Sequence, residues 1–260
     1  MPVRRQIATL LILLSAALVP LLAEASDPDA LRKIVAGLCV PTETATTHPW
    51  PCKLVDLAGR YAVLKDLHGK TQYLVIPTDT ITGIEAPAVI ASSAPNYWED
   101  AWQARGFMDE SAGRLVPRNF VGLAINSEKA RSQNQLHIHI DCVKADIVKT
   151  LGDNGAAVGP TWQRLPVLLA GHTYLAMRIE APDLSRVNPF QLLADGVPAA
   201  KADMGDQTLV VVAATFADGR DGFYLLNDHV DPASGDWGEG EELLDHSCAL
   251  LGPGFPELQR

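Results

Sequence analysis

Between residues 136 and 143 the chain reads Leu-His-Ile-His-Ile-Asp-Cys-Val, an alternation that suits an extended strand. Successive side chains of a strand face opposite ways. Leu136, Ile138, Ile140 and Cys142 therefore share one face, and His137, His139 and Asp141 share the other. The first face needs apolar cover; the second carries two imidazoles and a carboxylate on a rigid backbone. Three readings are open at this point. The polar face is turned to water, or it ligates zinc with Asp141 or a distant histidine completing the set, or one ring serves as a nucleophile.

The flanking patterns predict an α+β arrangement. Residues 61–67 and 72–77 are apolar-rich and flank His68-Gly69-Lys70, so they form a hairpin. Ser26 can cap a helix carrying Leu31, Ile34, Val35 and Leu38 and ending near Gly37, and Asn96 can cap a second, amphipathic helix running to Met108. Residues 120–126 make a strand, 145–151 a short helix, 208–216 with 222–227 another hairpin, and 241–250 a final helix.

At 260 residues and 47% hydrophobic content the chain can build a sizeable core. A formal charge of -10 excludes a broad nucleic-acid-binding surface, and an anionic substrate would need a local basic pocket.

At the N-terminus Arg4 and Arg5 precede an uncharged apolar run from Ile7 to Ala23, the mark of an export signal. As a helix the run reaches roughly 25 Å, at the short edge of what spans a ~30 Å hydrocarbon layer. Ala23-Glu24-Ala25 before Ser26 fits cleavage, while a retained run would keep its arginines inside the cell. Residues 1–25 are thus a signal or anchor and 26–260 the functional domain, in an oxidising compartment. The four cysteines, an even number, all lie beyond that run and admit three pairings. Cys39 with Cys52 closes a short segment rich in Thr and Pro, leaving Cys142 with Cys248; the alternative is four buried thiols.

The other histidines have plain readings. His48, His68 and His229 lie in or beside turns and should be exposed, and His172 lies between apolar runs as a structural residue. A disulfide from Cys248 to Cys142 would bring His246 near the motif strand.

The run leading into the strand narrows the choice. Asn126 stands eleven residues before His137 and Gln133 four before it. In these offsets, and in the alternation of His137 and His139 with apolar residues, the chain resembles the histidine-triad superfamily of nucleotidyl hydrolases and transferases. Within it, Asp29-Ala30-Leu31-Arg32-Lys33-Ile34-Val35, Val63-Leu64-Lys65-Asp66-Leu67, Ala101-Trp102-Gln103-Ala104-Arg105, Leu123-Ala124-Ile125-Asn126-Ser127 and Asp245-His246-Ser247-Cys248 are similar to stretches of the bacterial CDP-diacylglycerol pyrophosphatase family.

The resemblance implies a histidine-triad-like antiparallel half-barrel with flanking helices and extra C-terminal strands and helices. Residues 160–260 would then fill the place of a second subunit. It implies hydrolysis of the membrane lipid CDP-diacylglycerol to CMP and phosphatidate with no metal or cofactor, by a protein anchored in the inner membrane with its catalytic domain on the periplasmic side. His139 would attack phosphorus and His137 would bind a backbone carbonyl and fix the tautomers. Asn126 and Gln133 would donate to phosphate or ribose, and Lys129 and Arg131 would offset phosphate charge. Asp141 departs from the superfamily pattern, which has a third histidine or another donor there. An ionised carboxylate cannot donate, so it should bind a neighbouring donor or turn aside. The alternatives are action on other nucleotide diphosphate derivatives, a metal-dependent phosphodiesterase using His137, His139 and Asp141, or a binding module without turnover.

Overall fold

A computed structural model describes residues 27–252. Its elements in chain order are α1 (Ala30–Ile34), α2 (Val40–Thr46), β1 (Leu54–Asp56), β2 (Tyr61–Lys65), β3 (Tyr73–Pro77), α3 (Tyr97–Ala104), α4 (Gly106–Ala112), β4 (Val121–Ile125), β5 (Ile138–Val143), α5 (Ala145–Asn154), β6 (Gln163–Arg164), β7 (Leu175–Ile179), α6 (Pro189–Gly196), β8 (Gln207–Thr215), β9 (Asp221–His229) and β10 (Leu244–Asp245). This is an α+β fold on a large antiparallel sheet. The strands run β1-β2-β3-β5-β4-β8-β9-β7-β6, and β10 pairs with β5 off this path. Because β3 pairs with β5 only over Ile138–Ile140, the far end of β5 is left free, and β10 takes it with Asp245 opposite Cys142.

The alternation along each strand sorts the core. On one face Ile138, Ile140 and Cys142 join Val75, Leu123 and Val211 under α3, α4 and α6. Trp98 meets Phe190 edge-on and Trp102 meets Phe223 in the same way. The other face holds two apolar clusters, one of Val35, Cys39, Leu64 and Leu74 and one of Ala124, Ile147, Val210 and Leu226. The histidine face of β5 lies on the same side of the sheet as both, since His139 is in register with Leu74 on one side and Ala124 on the other.

Several boundaries differ from the sequence reading for physical reasons. The first helix runs past Gly37 to Thr46 through a π-helical turn at Val35–Cys39. Pro41 has no N–H to return to the preceding turn, and the wider turn accommodates it. Asn96 does cap α3, accepting from the Glu99 N–H, but the helical path is broken at Arg105 before α4. The helix expected over 241–250 is replaced by short 3-10 turns at Gly240–Leu243 and Ala249–Leu251 around β10. Pairing with β5 and a disulfide from Cys248 to Cys142 hold that segment extended against the sheet. The second disulfide joins Cys39 to Cys52.

The expected single-pass placement in an inner membrane, with a periplasmic catalytic side, is corrected here. Among the described residues no helix is long and apolar enough to cross a membrane. The apolar run from Ile7 to Ala23 lies outside the described residues.

Candidate active site

Strand register builds the site. Gln72 lies two residues before Leu74 and Asn126 two residues after Ala124, so both amides share the face of His139 from the flanking strands. Between them comes Glu241, from the 3-10 turn before β10. Asn126 grips it twice, Nδ2 donating to Glu241 Oε2 at 2.9 Å and Oδ1 accepting from the Glu241 N–H at 3.1 Å.

Glu241 Oε1 stands 3.0 Å from His139 Nδ1, and Gln72 Nε2 lies 2.8 Å from the same nitrogen and 3.1 Å from Oε1. A carboxylate can only accept and an amide N–H can only donate, so with the ring proton on Nδ1 the histidine donates to Glu241, and the Gln72 amide donates to Oε1 rather than to the ring. Burial alone would raise the Glu241 carboxyl. The hydrogen bond and charge of His139 and the Asn126 amide overcome it and hold the pKa down to about 2. His139 Nε2 then carries the lone pair, and this atom is buried without a hydrogen-bond partner. Buried polar atoms are normally paired, so an orphaned nitrogen on a clamped ring is a marked exception.

His137 Nδ1 donates to the Gln135 carbonyl at 2.7 Å, and its ring stands edge-on to His139 with centroids 4.8 Å apart. Burial, reinforced by the neighbouring His139, pushes its pKa down to about 4. Near pH 7 it is a neutral ring of fixed tautomer.

Asp141 spends its carboxylate within the protein. It is fully buried, accepting from Thr71 Oγ1 at 2.6 Å, from the Cys142 N–H at 2.9 Å and from His246 Nδ1 at 2.9 Å. A strand side chain facing a crowded sheet has its donors supplied by neighbours, here the β2–β3 turn and the segment after β10.

The remaining expected binding residues are not brought to His139. Gln133 spends its amide on the N-terminal helix, donating to the Asp27 carbonyl and accepting from the Leu31 N–H. Lys129 pairs with Asp206 and Arg131 with Glu85. Arg131 does line, with Asn126 and His137, a crevice of about 10 Å³. Ligand pockets run to roughly 300–1,000 Å³, so the site as it stands is closed; His139 itself is only 4% exposed. Two larger cavities, of about 550 and 660 Å³, are lined by neither His137, His139 nor Asp141. The first touches the site indirectly, because His172 in its wall binds Glu242, next to Glu241.

The zinc reading does not fit the geometry. Among the described residues the groups able to converge on a cation are His172, Asp228 and Glu242, and Asp203, Asp206 and His229; the motif histidines and Asp141 are not among them. Sequence reasoning missed Gln72, Thr71 and Glu241. Thr71 and Gln72 come from a turn, and Glu241 arrives by a distant crossing that leaves no periodic mark in its own neighbourhood.

An imidazole clamped at one nitrogen by a carboxylate and free at the other, on the inner strand of an antiparallel sheet, defines a site for covalent or acid–base chemistry on histidine. Residues 26–252 match the family model described as CDP-diacylglycerol pyrophosphatase, and the chain belongs to that family, whose members are hydrolases. It is 43% identical over 250 residues, 95% of each chain, to a CDP-diacylglycerol pyrophosphatase of Yersinia pestis. Among solved structures, a DUF4931 family protein from Bacillus cereus is similar at 10% identity with a TM-score of 0.47, over 77% of this chain and 95% of that one.

Proposed function

We propose that this protein hydrolyses CDP-diacylglycerol to CMP and phosphatidate, with His139 as nucleophile. The observation that carries the mechanism is the orphaned Nε2 of His139 opposite the Nδ1–Glu241 contact. Nε2 attacks the phosphorus of the CMP side, a bond forms from nitrogen to phosphorus, and the bond from phosphorus to the bridging oxygen breaks. Phosphatidate leaves, and CMP stays on the ring until water attacks the same phosphorus and releases the imidazole. Glu241 offsets the positive charge that the ring gains on attack, and it does so through the Nδ1 proton, which it holds but does not take. A neutral nucleophile is the suitable choice because phosphate oxygens repel an anion.

Entry of the nucleotide requires the crevice beside His137 to widen, since at about 10 Å³ it is far too small. We also propose that β2, β3, β5 and β4 form a histidine-triad-like half-barrel, with β8, β9 and β7 in the place of a second subunit in a single catalytic domain. The direct pairing of β4 with β8 supports this reading.

The test is a rapid quench with CDP-diacylglycerol labelled in the cytidine. Acid-labile label on the wild-type protein and none on His139→Ala is the expected result; turnover without any labelled protein in either would remove the covalent step.

A further inference from the structure

We infer that His246 is the acid that protonates the departing phosphatidate oxygen, with Asp141 as the positioning residue that holds its ring in place. The inference rests on the reading of His139 above and adds the proton donor that reading leaves unassigned.

Four independent restraints fix the backbone at this position. The neighbouring Asp245 pairs with Cys142 on β5, and Cys248 is bonded to Cys142. The His246 carbonyl accepts from the Lys70 N–H at 3.0 Å. Gly69, at φ 69°, packs so closely that a Cβ there would stand 3.1 Å from His246 Cβ. Yet the side chain so firmly held is 42% exposed. A residue anchored on its backbone and open at its ring is placed to meet something from solution.

The ring's two nitrogens have distinct surroundings. Nδ1 donates to the fully buried Asp141 Oδ2 at 2.9 Å, and the other carboxylate oxygen is held by Thr71. Nε2 lies 4.0 Å from Glu241 Oε1, beyond hydrogen-bond reach, and so on the side of the carboxylate that clamps the nucleophile. The titratable groups around it are Asp141 on β5, Glu241 on the turn before β10, Asp66 at the end of β2, the adjacent Asp245, and Lys70 of the β2–β3 turn. The Asp141 hydrogen bond, outweighing partial burial, raises the His246 pKa, with the charges of Asp141, Glu241 and Asp66 adding to it.

Breaking the bond from phosphorus to the bridging oxygen leaves that oxygen with the electron pair. The Nε2 proton of His246 moves to it, and His246 becomes neutral while its Nδ1 proton stays on Asp141. In the second step the neutral Nε2 takes a proton from the attacking water, so the ring ends as it began.

The experiment compares two substrates in His246→Gln, with thermal melting confirming the fold. One is CDP-diacylglycerol; the other is cytidine 5′-(p-nitrophenyl phosphate), whose nitrophenolate leaves without a proton. The expected result is a loss of roughly 100- to 1,000-fold in kcat/KM on the diphosphate with little change on the nitrophenyl ester. In the wild type kcat/KM for CDP-diacylglycerol falls as pH rises through the His246 pKa. That fall vanishes in His246→Gln and moves to lower pH in Asp141→Asn. Equal losses on both substrates, no loss on either, or an alkaline fall that persists in His246→Gln would overturn the assignment. His139→Ala separates the two readings: if it still turns over either compound, the nucleophile is wrong, whatever His246 does.

Discussion

Asn126 and Glu241 are hydrogen-bonded to each other twice, side chain to side chain and backbone to side chain, so that an amide on β4 sets the position of a carboxylate that arrives from the C-terminal part of the chain. The consequence is that Asn126 acts on catalysis through Glu241. Asn126→Ala and Glu241→Gln should each lower kcat by about 10- to 100-fold, and the double variant should be little worse than the poorer single one. Steady-state kinetics around the double-mutant cycle check this; multiplying losses would mean that Asn126 touches substrate by itself.

The Glu241 carboxyl also predicts an acid-side effect on stability. Its folded pKa, about 2, is below its ordinary value, so it favours the folded state above the ordinary carboxylate range. That contribution is lost as pH falls toward 2. Urea melts at pH 6, 4 and 2.5 should show the wild type losing stability more steeply than Glu241→Gln over this interval.

Cys142–Cys248 closes a loop with a sequence separation of 106. On the chain-entropy account such a loop is worth up to about 4–5 kcal/mol. Cys248→Ser should lower the folding free energy by 2–5 kcal/mol in denaturant titrations. If His246 is the acid, mild reduction of the wild type should also depress turnover of CDP-diacylglycerol more than turnover of the nitrophenyl ester.

Gly122 lies directly opposite Asp141, and a Cβ there would come within 2.7 Å of Leu244 Cδ2 and 2.8 Å of Val143 Cγ2. Gly122→Val should therefore push β10 off β5 at a cost of about 1–3 kcal/mol. Its kcat should fall with the stability, because β10 leads directly into His246. Chemical denaturation and kcat on the same preparations test both halves of the statement.

Local pattern made part of this molecule legible. Alternation from Leu136 to Cys142 sets which side chains of β5 face the helices, and the flanking runs around His68-Gly69-Lys70 give β2 and β3. What the pattern could not carry is contact made by chain crossing. That an ionised Asp141 needs a donor is legible from its charge, but the donors themselves, Thr71 and His246, reach it from a turn and from a distant segment. The 241–250 stretch has helical composition, but pairing with β5 and the bond to Cys142 outweigh that local preference. Gln133, at an informative offset from the motif, holds the N-terminal helix, because the loop that carries it runs back past Asp27 and Leu31. The strands β6 and β7 and helix α6 were not anticipated; β6 pairs with the nearby β7, but β7 finds its second partner in β9, much further along the chain.

The junction of β4 with β8 has one more implication. In a symmetric pair of subunits every substitution is made twice, so neither end of the shared sheet can change without the other. On the half-barrel reading proposed above one chain supplies both ends, and only β5 bears the imidazole pair, while β9 carries Leu225 and Leu226 in its middle. On that reading the half without the histidines is released from repeating the chemistry, and its inheritance can drift toward fitting the lipid or bracing its neighbour.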